Sequence, residues 1–125
     1  MTILDTSVWI EFLKNNPLFF PQVKNLLERQ RVLGLEWIFG ELLQGAADKR
    51  ERDILLSYWE NIPKFDSTSI WIKTGLYSSE EKLSSRGVGL IDCAIIIACR
   101  QTNSTIWSLD KKLNKLLMEN QRYIG

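Results

Sequence analysis

Four acidic residues of this 125-residue chain sit in apolar surroundings. Asp5 follows Ile3-Leu4, Glu41 lies inside WIFGELL, Asp92 follows Leu90-Ile91, and Asp110 comes just after Ile106-Trp107-Ser108-Leu109. Most other acids, such as Asp48, Glu51 and Asp53, lie in charged stretches. Asp92 is the sharpest case, because it is the single charge in the run from Val88 to Ile97. An ionised carboxylate among apolar groups is costly unless something compensates it. Carboxylates that converge also repel one another and raise each other's pKa. A divalent cation resolves both conflicts, and an all-oxygen donor set suits Mg²⁺ or Mn²⁺. Such an ion lowers the pKa of a bound water and neutralises charge on a phosphodiester during in-line displacement. Hydrolysis of a nucleic-acid phosphodiester is therefore the chemistry these residues could perform.

Each acid also has an ordinary reading. Asp5, Asp92 and Asp110 could all be helix caps or first-turn acids, satisfied by backbone N–H groups and the helix dipole. Glu41 falls mid-helix, so its ordinary reading is a surface salt bridge or a side chain reaching solvent. The chain contains no histidine. That removes His-based triads, imidazole bases, zincin motifs and zinc fingers, and leaves a metal-bound hydroxide as the best available nucleophile.

The elements that must position these acids alternate along the chain. Thr2-Ile3-Leu4 reads as a short buried strand, followed by a helix over Val8 to Lys14. A helix over Leu18 to Gln30, a strand over Arg31 to Leu35 and a helix over Glu36 to Ala47 come next. Asp48 to Asn61 is amphipathic, Pro63 starts a third strand, and Thr68 to Arg86 reads as one long helix. Gly87-Val88-Gly89 leads into a buried helix over Ile91 to Thr102. A strand over Thr105 to Ser108, a helix from Asp110 to about Glu119 and an edge strand at Arg122 to Ile124 complete the chain. Short strands alternating with helices predict an α/β fold with a parallel sheet covered on both faces. In such sheets ligands bind outside the carboxyl ends of the strands. Asp5 and Asp110 follow strands and Asp92 begins a helix, so the three are expected to converge there, with Glu41 within reach.

Length and composition fit a single domain over residues 1–125 that needs no disulfide or metal staple to fold. The chain is 45% hydrophobic and 25% charged, and 16 Lys and Arg against 15 Asp and Glu give a net charge of +1. Any basic surface for a nucleic acid must therefore be local. The two cysteines, Cys93 and Cys99, would point about 240° apart on one helix and cannot pair with each other. They are expected to be buried thiols in a reducing cytoplasm. MTILDTSVWI lacks the basic start of a signal peptide, and no apolar run reaches the ~18 residues of a membrane span.

ILDTSVWIEFL, GELLQG, GLIDCAIIIACR and IWSLDKKL carry Asp5, Glu41, Asp92 and Asp110 in that order. With these four blocks the chain resembles the PIN-domain ribonucleases, and within them the VapC-type toxins of prokaryotic toxin–antitoxin pairs. The resemblance covers almost the whole chain. It implies a three-layer α/β/α fold with a central, mostly parallel sheet of about five short strands. It also implies Mg²⁺-dependent cleavage of RNA rather than DNA, a homodimer, and inhibition by a small antitoxin protein. Many relatives have an aromatic residue where Leu113 stands, a departure that reads as a packing variation.

Around the acids, Thr6 and Ser108 are expected to orient carboxylates or a bound water, whereas Ser7 reads more simply as a cap. Lys111 and Lys112 are candidate RNA contacts, with Lys115, Lys14 and Arg86 near the same cleft. Leu18-Phe19-Phe20 and Leu55-Leu56-Ser57-Tyr58-Trp59 offer apolar bulk for an antitoxin helix, against ordinary core burial. Two other readings compete. One is a PIN-like scaffold that binds RNA or protein without cleaving. The other is a haloacid-dehalogenase-like phosphatase, which usually has Asp-x-Asp where this chain has Asp5-Thr6-Ser7.

Overall fold

A computed structural model describes residues 1–125. Two strands, β1 (Thr2–Leu4) and β2 (Thr105–Trp107), pair in parallel, with Thr2 opposite Thr105, Ile3 opposite Ile106 and Leu4 opposite Trp107. The helices are α1 (Thr6–Leu13), α2 (Phe20–Glu28), α3 (Glu36–Gln44), α4 (Lys49–Asn61), α5 (Ile70–Glu80), α6 (Leu90–Thr102) and α7 (Lys111–Leu116). Short 3-10 turns lie at Ser84–Arg86 and Glu119–Gln121.

The parallel α/β arrangement agrees with the sequence, but the expected sheet of about five strands does not. Only β1 and β2 form a ladder. Three further segments attach by single parallel bridges, Thr2 to Val32, Gly34 to Lys64, and Ile106 to Arg122. Five segments thus lie side by side, in the order Lys64, Val32–Gly34, β1, β2, Arg122. Three of them are too short to be strands. Gly and Pro interrupt the outer ones. Gly34 contributes no side chain to a pleated surface, and Pro63 has no N–H to donate.

Gly34 is also a close-approach position. A Cβ there would lie 2.7 Å from Ile62 Cδ1 and 2.9 Å from Trp59 Cζ3. The α4 end packs directly onto that backbone.

The long helix expected over Thr68 to Arg86 is interrupted. It runs as α5 to Glu80, after which Lys82 takes a left-handed conformation (φ 54°) and Leu83 turns into the interior. Serines at 78, 79, 84 and 85 weaken helical continuity there, because their hydroxyls compete for backbone partners. The helix begun at Leu18 in the sequence starts instead at Phe20, with Pro21 in its first turn. Asn16 Oδ1 accepts the Leu18 N–H at 3.0 Å and holds the preceding turn.

The core lies between the sheet and α1, α3 and α6. Ile3, Leu4, Trp9, Ile38, Ile95, Ile96, Ile106 and Leu113 are all essentially inaccessible. Leu113 is fully buried, so an aliphatic residue fills this core position. Cys93 and Cys99 are buried free thiols on α6. Trp9 meets Phe12, Phe39 and Tyr58 at centroid distances of 5.1 to 6.1 Å. Phe19 stacks on Trp107 and Phe20 on Phe12, which leaves Leu18 as the exposed member of that triplet. No helix is long and apolar enough to cross a membrane.

Candidate metal centre

β1 ends at Leu4, and Asp5 stands at its carboxyl end as the N-cap of α1, its Oδ1 accepting the Thr6 N–H at 2.8 Å. β2 ends at Trp107, and three residues later Asp110 caps α7, its Oδ1 accepting from Lys112 N–H at 2.9 Å and Leu113 N–H at 3.4 Å. Parallel pairing of β1 with β2 brings these two ends together. The capping reading therefore holds for both, and it uses only part of each carboxylate.

Ser108 joins them. Its hydroxyl donates to Asp5 Oδ2 at 2.6 Å and accepts the Asp110 N–H at 3.0 Å. Ser7 reinforces the junction, accepting the Leu109 N–H at 3.1 Å and lying 3.5 Å from Asp5 Oδ2. Asn114 Nδ2 donates to the Ser108 carbonyl at 2.9 Å and fixes the turn from below. In sequence Ser7 looks like a simple cap, and Asn114 carries no signal at all. Only the strand pairing puts Leu109 beside Ser7, 102 residues apart.

Asp92 occupies the first turn of α6, part-buried. Unlike Asp5 and Asp110 it makes no capping bond: the N-cap of α6 is Gly89, which has no side chain, and Asp92 lies inside the first turn. It has no ion-pair partner either, since the two salt bridges of the protein join Lys24 to Glu28 and Lys49 to Asp53. Burial pushes its carboxyl pKa up, and the charges of Asp110, Asp5 and Glu41 push it further. All four acids therefore share one electrostatic environment. Glu41 is the exposed member, carried mid-way along α3, and Thr6 Oγ1 reaches its Oε1 over a long 3.5 Å contact.

Lys111 and Lys112 are exposed at the start of α7. The Lys112 amine reaches across to the connector before α6, 4.0 Å from where a Cβ on Gly87 would stand. Gly87 itself has φ 78°, a conformation that favours glycine, so the turn into α6 depends on it.

The donor chemistry suits a hard divalent cation. Carboxylate and hydroxyl oxygens surround the cleft, and the free cysteines point into the core. The acids are not, however, drawn into a finished cage, and no three of them stand close enough to grip an ion as they are placed. A bound divalent cation would offset the mutual repulsion of these carboxylates.

Acidic groups gathered at the carboxyl ends of a parallel sheet, on a helix-rich α/β scaffold, define a nuclease-like class of domain. The chain belongs to the PIN domain family, whose match covers residues 2–116. PIN domains are typically nucleases and usually bind divalent metal ions. A comparison with curated proteins gave no match.

Proposed function

We propose that this protein is a Mg²⁺-dependent endoribonuclease, with Mn²⁺ as an alternative ion, in which Asp5, Asp92, Asp110 and Glu41 hold the metal. The observation that carries this reading is Asp92, a part-buried carboxylate with no capping bond and no ion pair, raised in pKa by burial and three other acids. A bound divalent cation would supply an activated water and neutralise charge on the phosphate. Ser108 holds Asp5 in one rotamer while steadying the Asp110 turn, and Thr6 limits the swing of Glu41. Lys111 and Lys112 stand where they can meet phosphates of the RNA.

The biological role in this proposal is that of the toxin in a type II toxin–antitoxin pair. Its partners would be a second copy of the chain and a small antitoxin that covers the cleft. The openness of the four acids favours a second reading, a PIN-like scaffold that binds RNA or protein without cutting. Calorimetric titration of Mg²⁺ into wild type and into Asp5→Asn and Asp92→Asn separates the two. Binding to wild type that is weakened in both variants supports the nuclease. Absent binding, or binding indifferent to both substitutions, supports the scaffold.

A further inference from the structure

A pocket of about 490 Å³ opens between α3, α4 and the start of α5, and none of the four acids lines it. Glu36 and Gly40 face it from α3, four residues apart and so on one side of the helix. Trp37, Trp59 and Trp71 bring three indoles to it from three different helices. The Trp37 and Trp71 rings stand 5.4 Å apart, centroid to centroid. Trp71 stays 43% exposed, so this aromatic lining meets solvent.

Glu36 is the one charged residue of the lining, and no lysine or arginine joins it there. Its carboxylate has no ion pair, since both salt bridges of the protein lie elsewhere. It sits in the first turn of α3, where the helix dipole suits an anion. Indole faces attract cations, and outside the pocket the Lys64 Nζ already stands 5.0 Å from the Trp59 centroid. Three indoles beside an unpaired carboxylate therefore suit an organic cation. A quaternary ammonium has no N–H to offer Glu36, and a lysine ammonium is strongly hydrated. A guanidinium stacks on aromatic faces, is weakly hydrated and meets a carboxylate through two parallel N–H bonds.

Gly40 is a second, independent sign of an occupant. Glycine weakens a helix interior relative to alanine, and Gly40 lies in the middle of α3. Nothing stands within 4 Å of where its Cβ would be, so no neighbour in the protein requires glycine there. Bare backbone at a pocket wall allows a ligand to approach closely.

We infer that this pocket receives the guanidinium of an arginine carried by a partner polypeptide. Glu36 accepts its N–H groups, the indoles take its faces, and the bare backbone at Gly40 makes room for it. The inference does not rest on the nuclease reading, because neither Glu36 nor the indoles belong to the four-acid centre.

The test is titration of the full chain with acetyl-glycyl-arginyl-glycinamide at millimolar concentration, followed by NMR of the five indole N–H signals. The signals of Trp37, Trp59 and Trp71 should shift and saturate, while those of Trp9 and Trp107 stay in place and report an intact fold. The matching lysyl peptide and tetramethylammonium should bind about tenfold more weakly. Glu36→Gln should weaken the arginyl peptide about tenfold as well. Gly40→Ala should raise the melting temperature of the free protein and weaken the peptide by a similar factor. Absence of shifts at the three indoles, or equal binding of the lysyl peptide or tetramethylammonium, would overturn the inference. Undiminished binding in Glu36→Gln or Gly40→Ala would overturn it too. RNA cleavage by Glu36→Gln at the wild-type rate is expected throughout, so the pocket can fail while the nuclease reading stands.

Discussion

The Ser108 hydroxyl donates to Asp5 Oδ2 at 2.6 Å, joining the ends of two paired strands whose residues lie 103 positions apart. The same oxygen accepts the Asp110 N–H, so one atom sets the relation between two acids. Removing it in Ser108→Ala leaves Asp5 Oδ2 with only the long 3.5 Å contact to Ser7, and the Asp110 N–H without its partner. The expected loss is about 1–2 kcal/mol of stability and roughly 10- to 100-fold in metal affinity or cleavage. Thermal unfolding and a cleavage assay measure the two effects separately. Ser108→Thr, which keeps the hydroxyl, should recover most of both, and equal losses in the two variants would contradict this role.

Asp92 and its three neighbours set up a trade between stability and function. Charge on Asp92 is disfavoured in the folded protein by burial and by Asp110, Asp5 and Glu41. Asp92→Asn should therefore raise the melting temperature of metal-free protein at neutral pH while abolishing Mg²⁺-dependent stabilisation. Differential scanning calorimetry with EDTA and then with excess Mg²⁺ reads both. A variant less stable than wild type in EDTA would show that Asp92 is structural.

Burial pushes the Cys99 thiol up to about 11, and its S–H also donates to the Ser104 carbonyl. In the unfolded chain the thiol ionises near its ordinary value of about 8.5. Between those values the unfolded chain has released a proton that the folded protein keeps, so stability falls as pH rises. The slope is about 1.4 kcal/mol per pH unit, and the contribution is fully present below the lower value. Burial raises the Tyr58 pKa as well, so the diagnostic comparison is with Cys99→Ala. Urea unfolding between pH 8 and 11 should show a shallower decline in that variant, and parallel declines would refute the assignment.

Gly34 offers a test of the scaffold away from the acids. An added methyl meets Ile62 Cδ1 and Trp59 Cζ3 within 3 Å, on a segment held by one bridge to Lys64. Gly34→Ala should lower stability by about 1–3 kcal/mol, read from chemical denaturation. A neutral result would mean that the end of α4 shifts freely over this backbone.

Much of this arrangement is legible in the chain because local chemistry and tertiary role coincide. Ile3-Leu4-Asp5 is both a strand end and a helix cap, and the run around Cys93 to Cys99 is apolar because α6 is buried. What is not legible depends on neighbours. Arg31–Leu35 has strand character, yet Gly34 and Pro63 allow only single bridges between the outer segments. Ser7 looks like any cap residue until β1 and β2 pair and bring Leu109 N–H to it. The break at Lys82 has no Gly or Pro to announce it.

The most direct test of the central claim is cleavage of a single-stranded RNA by wild type and by Asp92→Asn, each shown folded by circular dichroism, with Mg²⁺ and with EDTA. Wild type should cut in Mg²⁺ alone, and the variant should cut at least roughly a hundredfold more slowly. Equal rates for the two proteins, or wild-type cutting undiminished by EDTA, would contradict it.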